Sequence, residues 1–318
     1  MTDIGANEPA RKWIITGGAG FLGTNFLQSS TPEDGEIVVL DRRISKWQVV
    51  KPWIRYIDQD VREIEAFRSE LEPNSVVVHM ASVSYPGKAE HMIESDIQDN
   101  VLGTFRFANA CADQGVGAFL FLSSGGAIYG DQPMSPIPEE ANPKPKSAYG
   151  AMKLATEHYL RIINQLRGLP IANLRVANPF GPWHPGVGQG AINVFLHKII
   201  NGEEIQIWGD GEQVRDYIPV ADACDAIRTI GKKFKQGCEA YNIGTGEGRT
   251  LNEVLNVAEK VSGRKPNVRF FPGRAVDVDS NILDHTKIKM QFGWQSVTSF
   301  DEAVEGTYKW TTELGLRS

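Results

Sequence analysis

Short apolar runs alternate with longer amphipathic stretches through the first half of the chain. The runs at residues 12–16, 36–40, 54–57, 75–80, 118–123 and 171–176 read as strands. Amphipathic stretches lie between several of them. That alternation predicts a doubly wound parallel sheet of Rossmann type, with helices on both faces. Two long helical patterns stand out. One covers 89–114, with Met92, Ile93, Ile97, Val101, Leu102, Phe105 and Ala108 at helical spacing. The other covers 148–166, with Met152, Ala155, Tyr159, Ile162, Ile163 and Leu166. Such faces ordinarily cover a sheet, and an apolar stripe left over would instead make a dimer face.

The character of the chain changes at Asn178. Glycines and prolines make 178–190 irregular, and loops of this composition often carry ligand contacts. Shorter elements follow: helices at 191–201, 220–234, 251–261, 285–292 and 300–314, and strands at 205–208 and 241–243. We expect a first domain over 1–177 and a smaller α/β lobe over 178–318, with a segment near 220–245 returning to the first domain. Residues 1–11 read as a lead-in to the first strand.

Composition adds exclusions. The net charge of −6 does not suggest a nucleic-acid partner. No apolar run approaches membrane-spanning length, and the polar N-terminus does not resemble a signal peptide. Cys111, Cys224 and Cys238 are far apart, as are the six histidines, so no metal-ligand spacing is visible. A cytoplasmic protein with reduced thiols is the expectation.

Chemistry enters at Gly17, Gly20 and Gly23, spaced GxxGxxG between the first strand and a helical run that begins Phe21-Leu22. Such a turn lets backbone approach a pyrophosphate and aims a helix N-terminus at it. Asp41 ends the second strand, where a carboxylate can accept hydrogen bonds from an adenosine ribose. Strand, turn, helix, strand and acid together signal a dinucleotide. Tyr149 and Lys153 form a YxxxK pair within a helical pattern, so both share a face. A nearby cation stabilises phenolate, which makes Tyr149 a candidate base for an alcohol proton. In an arbitrary chain such a pair is a solvated helix surface; after a dinucleotide turn the odds reverse.

These pieces resemble the extended branch of the short-chain dehydrogenase/reductase family, and within it the nucleotide-sugar epimerases of UDP-glucose/galactose 4-epimerase type. The resemblance runs from Trp13 to Trp310. It rests on TGGAGFLG at 16–23, Asp60-Val61, His79-Met80-Ala81-Ser82, Asn100-Val101-Leu102-Gly103-Thr104, SSGGAIYG at 123–130, Tyr149/Lys153, LRVANPFGP at 174–182, Arg215-Asp216-Tyr217, and Arg274 with Asp277. It implies NAD held by Gly17, Gly20, Phe21, Leu22, Gly23, Asp41 and Arg42. Asp60 and Val61 would flank the adenine. Ala81, Ser82, Asn100 and Ser123 would line the cofactor path, with Tyr149 and Lys153 at the nicotinamide ribose. The Asp41 charge disfavours NADP, although Arg42 and Arg43 offer partners for a 2′-phosphate.

For the sugar nucleotide, the resemblance implies Asn178 near the phosphates, Arg215 and Arg274 on the diphosphate, and Asp277 on the nucleotide ribose. Ser84 and Asn281 would help shape the sugar pocket. Outside this context Arg215-Asp216 reads as a surface ion pair and Asn178 as a turn residue. One departure matters. Epimerases usually carry Ser or Thr four residues before the tyrosine matching Tyr129, where this chain has Gly125. Ser124 takes that role in our reading, ahead of Ser123. Dehydratases carry an Asp-Glu pair where this chain has Gly126-Ala127, and dehydration needs an acid for the leaving hydroxyl. The expected activity is NAD-dependent epimerisation at C4 of a nucleotide-diphosphate sugar by a homodimer, through a 4-keto intermediate. A reductase of nucleotide-linked 4-keto sugars is the alternative. A non-catalytic NAD-binding regulatory protein belongs to a third class.

Overall fold

A computed structural model describes residues 11–42, 47–87, 89–274 and 277–315. The first lobe begins with β1 (Trp13–Thr16), α1 (Phe21–Gln28), β2 (Ile37–Asp41), β3 (Ile54–Asp58) and β4 (Val76–His79). Next come α2 (Ile93–Asp96), a π-helical turn (Ile97–Leu102), α3 (Gly103–Asp113), β5 (Ala118–Ser124), α4 (Gly125–Ile128), α5 (Ala148–Arg167) and β6 (Ile171–Val176). The second half holds β7 (Asn178–Phe180), α6 (Ala191–Asn201), β8 (Glu204–Trp208), β9 (Val214–Pro219), α7 (Val220–Lys233) and β10 (Cys238–Ile243). It continues with β11 (Gly248–Thr250), α8 (Leu251–Ser262), β12 (Asn267–Phe271), β13 (Ser280–Asn281), α9 (Thr286–Phe292) and α10 (Phe300–Trp310).

Seven parallel strands form one sheet in the order β10-β6-β5-β4-β1-β2-β3. Its centre is apolar on both faces, with β1, β4 and the first four residues of β2 fully buried. Two hydrophobic clusters, one per face, take alternate residues of the same strands, such as Ile15 and Val39 against Ile14 and Val38. This is the doubly wound α/β sheet expected from the alternation. The chain returns to it from the second half, where β10 pairs with β6 over Cys238–Ile243. The return places α7 against α1.

Beyond Asn178 the small strands pair across long separations. β9 lies between β11 and β13 and also pairs with β7, while β8 pairs with β12. A third hydrophobic cluster, including Phe180, Leu196, Ile207 and Leu255, fills this lobe. Two expectations change. Residues 178–180 are a strand, because β9 supplies a partner. The pattern at 89–114 is not one helix: it passes from a 3-10 turn (Ala89–His91) through α2 and the π turn into α3. Asp96 and Asn100, both buried, bond to each other at that widened turn. Single π turns inside helices are frequent at functional sites. Among the described residues, no helix is long and apolar enough to cross a membrane.

Candidate active site

The glycine turn follows β1 directly. Gly17 has φ +72°, and a Cβ there would lie 2.7 Å from the Ala81 backbone nitrogen. Only glycine meets both conditions. Gly20 caps α1 with no side chain bonding its first turn, which leaves backbone N–H groups for an anion. Asp41, at the end of β2, accepts a hydrogen bond from the Ala19 amide at 3.0 Å, so turn and acid meet. Asp60 accepts from the Arg62 side chain at 2.8 and 3.0 Å and from Arg42 at 3.4 Å. These cations hold its carboxyl below the usual range, foremost Arg62.

A cleft of about 700 Å³ runs along these strand ends. Gly17, Gly20, Phe21, Asp41 and Arg42 line it, as do Asp60, Val61, Ala81, Ser82 and Asn100. Leu22 and Gly23 are not on its wall. A Cβ at Gly23 would sit 2.5 Å from the Gly18 Cα, so this third glycine lets α1 pack closely on the turn. Arg43 lies outside the described residues.

The candidate catalytic residues stand on β5 and α5, next to α4; Ser123, Ser124, Tyr149 and Lys153 are not on the wall of that cleft. Ser147 caps α5, its hydroxyl accepting from the Gly150 amide at 3.1 Å, and Tyr149 and Lys153 occupy the first turns. Lys153 is buried; its Nζ donates to the Leu122 carbonyl at 2.8 Å and lies 5.6 Å from the Tyr149 ring centroid. Burial lowers the ammonium to about 8, against the opposing pull of Asp96 and Glu157. Burial, then the charge of Asp96, raises the Tyr149 phenol well above its ordinary value. The pair is thus close, with the ammonium buried and the tyrosine partly exposed.

The two serines part company. Ser123 is buried and donates to Glu157 at 2.5 Å, and Glu157 is gripped by Arg175 at 2.8 Å. Ser124 ends β5 partly exposed and is the N-cap residue of α4, though its hydroxyl makes no capping hydrogen bond. Gly125 follows, and a Cβ there would lie 2.4 Å from Leu283 and 2.9 Å from the Arg175 carbonyl. Leu283 occupies the space that a serine or threonine would need.

From the second lobe, Asn178 donates to the Asp216 carbonyl at 2.9 Å and approaches Gly126, where a Cβ would meet its Oδ1 at 3.4 Å. Arg215, on β9, is partly buried, and desolvation lowers its guanidinium while Tyr217, Asp277, Asp279 and Asp131 oppose it. Arg215 and Asp216 are not a surface pair: Asp216 is buried and accepts from Thr245, Gly246 and Leu283. Arg274 forks Asp277 at 3.0 and 2.9 Å and lies over the Trp208 ring. Asn281 is buried on β13, donating to the Gly125 carbonyl at 3.1 Å. Ser84 is buried beside Asn100, 3.4 Å from its amide.

Three features escape sequence reading. Trp47 and Trp183 line the cleft, and they meet Trp310 edge-on and tilted, at 5.4 and 5.3 Å between centroids. Trp183 has φ +63°, an outlier for a bulky residue. His79 bridges Thr16 at 2.7 Å and Thr104 at 2.8 Å, and burial lowers its imidazole to about 3. Isolated aromatics and a lone histidine have no period to betray them. Among the described residues, no group of three His, Cys, Asp or Glu side chains could hold a metal.

A doubly wound sheet with a glycine turn facing an acid at the neighbouring strand end defines a dinucleotide-binding fold of the extended short-chain dehydrogenase/reductase type. Residues 13–244 match the NAD dependent epimerase/dehydratase family, and the chain belongs to it. It resembles the UDP-glucose 4-epimerase of Thermotoga maritima solved with UDP-glucose, at 31% identity and TM-score 0.88, over 95% of this chain and 99% of that one. The Thermus thermophilus UDP-glucose 4-epimerase in complex with NAD gives 31% identity and TM-score 0.86 over the same shares. The dTDP-4-dehydro-6-deoxyglucose reductase of Escherichia coli is 28% identical over 93% of this chain and 96% of its own length.

Proposed function

We propose that this protein is an NAD-dependent epimerase acting at C4 of a nucleotide-diphosphate sugar. The observation that carries the reading is the Tyr149/Lys153 pair, with ammonium and phenol ring 5.6 Å apart, in a chain whose glycine turn meets Asp41. The residues present fit NAD: a glycine cradle that a Cβ would fill, an uncapped α1 N-terminus and an acid beside them. NAD bound there supplies a reversible hydride acceptor and a positive charge near the phenol. Tyr149 takes the proton of the C4 hydroxyl and later returns it. Lys153 stabilises the phenolate and orients the ribose. Ser124 hydrogen-bonds the sugar hydroxyl. Asn178, Arg215 and Arg274 hold the diphosphate, with Arg274 exchanging Asp277 for phosphate oxygens as Asp277 turns to the nucleotide ribose. Asp41 selects NAD over NADP by repelling a 2′-phosphate.

In this reading residues 1–177 hold the cofactor and 178–318 the sugar nucleotide. Two copies join through the helical segment that begins with α2 and the π turn, and through α5. The catalytic test is Tyr149→Phe, assayed against UDP-, dTDP-, GDP- and CDP-sugars alongside the parent. We expect cofactor to be retained and turnover to fall at least ~1000-fold, the loss of a proton-transfer group. Near-parental turnover would refute the role of Tyr149. The similarity to the E. coli reductase supports a second reading, reduction of a nucleotide-linked 4-keto sugar by the same pair. Stoichiometric consumption of reduced cofactor would favour it; cofactor recycled through many turnovers favours the epimerase.

A further inference from the structure

Lys153 is a buried cation, and the structure identifies what balances it. On its own helix Glu157 lies one turn further on, but that carboxylate accepts from Ser123 and from both Nε and Nη2 of Arg175, with both partners of the ion pair buried. The Glu157–Arg175 pair carries no net charge. From β4, His79 packs nearby, kept neutral by burial and by the Lys153 charge itself. From α5, Tyr149 is held protonated by burial. Among the described residues, the other charge that raises Lys153 is Asp96, the last residue of α2.

Asp96 is 2% exposed. Its Oδ1 accepts from the Asn100 amide at 2.6 Å, one turn on through the π helix. Its Oδ2 is buried without a hydrogen-bond partner. A buried carboxylate oxygen left unpaired costs free energy unless a nearby cation compensates it. The Asn100 amide also accepts from the Val83 N–H at 3.1 Å, so Asp96 braces a side chain on the cleft wall.

We propose that Asp96 is a positioning residue of this site: it is the countercharge of Lys153 across the π turn, and it fixes the Asn100 amide against the cofactor cleft. The proposal rests on the Tyr149/Lys153 reading but is testable apart from it. Asp96 acts through Lys153 and Asn100, not on the sugar. Its negative charge raises Lys153 against burial and at the same time discourages ionisation of Tyr149. The device therefore favours a charged ammonium beside a protonated phenol in the free protein.

Asp96→Asn keeps an oxygen for the Asn100 amide and removes the charge. In the ligand-free protein, Lys153 is titrated by NMR of labelled lysine side chains, assigned with Lys153→Met. We expect the parental Lys153 to titrate near 8 and the variant lower, because a negative charge that raises it is lost. In turnover, kcat at pH 8 falls about tenfold, KM for the sugar nucleotide stays within about twofold, and the alkaline limb moves to lower pH. Asp96→Ala also frees Asn100, and cofactor binding weakens several-fold relative to Asp96→Asn. An unchanged Lys153 titration in a folded Asp96→Asn protein overturns the proposal, as does a kcat loss equal at every pH. If Tyr149→Phe kept full turnover, the catalytic reading would fall while the titration difference still decided the role of Asp96.

Discussion

Gly125 shows how one residue departs from a family pattern for a packing reason. The serine or threonine expected there is absent because Leu283 and the Arg175 carbonyl fill its Cβ volume. Restoring it with Gly125→Ser is therefore expected to lower stability by about 1–3 kcal/mol, the usual cost of overpacking, with no gain in kcat. Thermal unfolding checks this, and Gly125→Ser with Leu283→Ala should lose less stability than the two single variants added together. A stable, faster Gly125→Ser enzyme would contradict the packing account. The ranking of Ser124 over Ser123 could be reasoned from strand position. The bond that commits Ser123 to Glu157, 34 residues away, has no local signature. His79 is similar: nothing in the sequence shows it wedged between Thr16 and Thr104. Its imidazole is held at about 3, below its ordinary value of 6.5, so the unfolded chain binds the proton more readily between those values. This contribution to stability is complete above pH 6.5 and is lost as pH falls toward 3. Between pH 7 and pH 4 the parent should lose roughly 3 kcal/mol more stability than His79→Gln, at 1.4 kcal/mol per pH unit. Parallel stability profiles would remove His79 from the account.

At the scale of elements, the periodic segments were the legible ones. β6 and α6 occupy the residues their patterns predict, β1 to β5 shift by about one residue at their ends, and β10 starts three residues before the expected 241–243. The interrupted helix before α3 and the short strands β7, β9, β11 and β13 were not. Strands of two to six residues paired across long separations leave no alternation to read. The approach of α5 to α4 belongs to this hidden class. A Cβ on Gly150 would lie 2.3 Å from the Ala127 carbonyl oxygen, so glycine between Tyr149 and Ala151 lets the first turn of α5 sit against α4. Gly150→Ala sets a helix-propensity gain of about 1 kcal/mol against that clash. The clash should win, because the obstacle is backbone. Stability should drop, and kcat at least about tenfold, as Tyr149 is displaced. A more stable, fully active variant would show that α5 can withdraw freely.

At the scale of the whole molecule, the return of β10 to the sheet makes the two lobes share one frame, and the cleft opens along that frame. What lies outside it is an apolar surface. Ile93, Ile97 and Leu102 on the first helical segment, and Tyr159, Ile162 and Leu166 on α5, remain exposed, with Leu166 at 76%. The same helical spacing that could have served the sheet alone therefore leaves an uncovered stripe on two neighbouring helices. Exposed apolar surface of this kind is a candidate association site, and a second copy of the same face would bury it by twofold symmetry. The proposed homodimer should run in light scattering near twice the 35.1 kDa chain mass. Ile97→Lys with Ile162→Lys places like charges at the centre of the face and should yield a folded monomer, verified by circular dichroism. Because both side chains point away from the sheet, the variant should keep its cofactor. A parent that is already monomeric at working concentration would leave the stripe unexplained by dimerisation, and an intact dimer in the double variant would place the interface elsewhere.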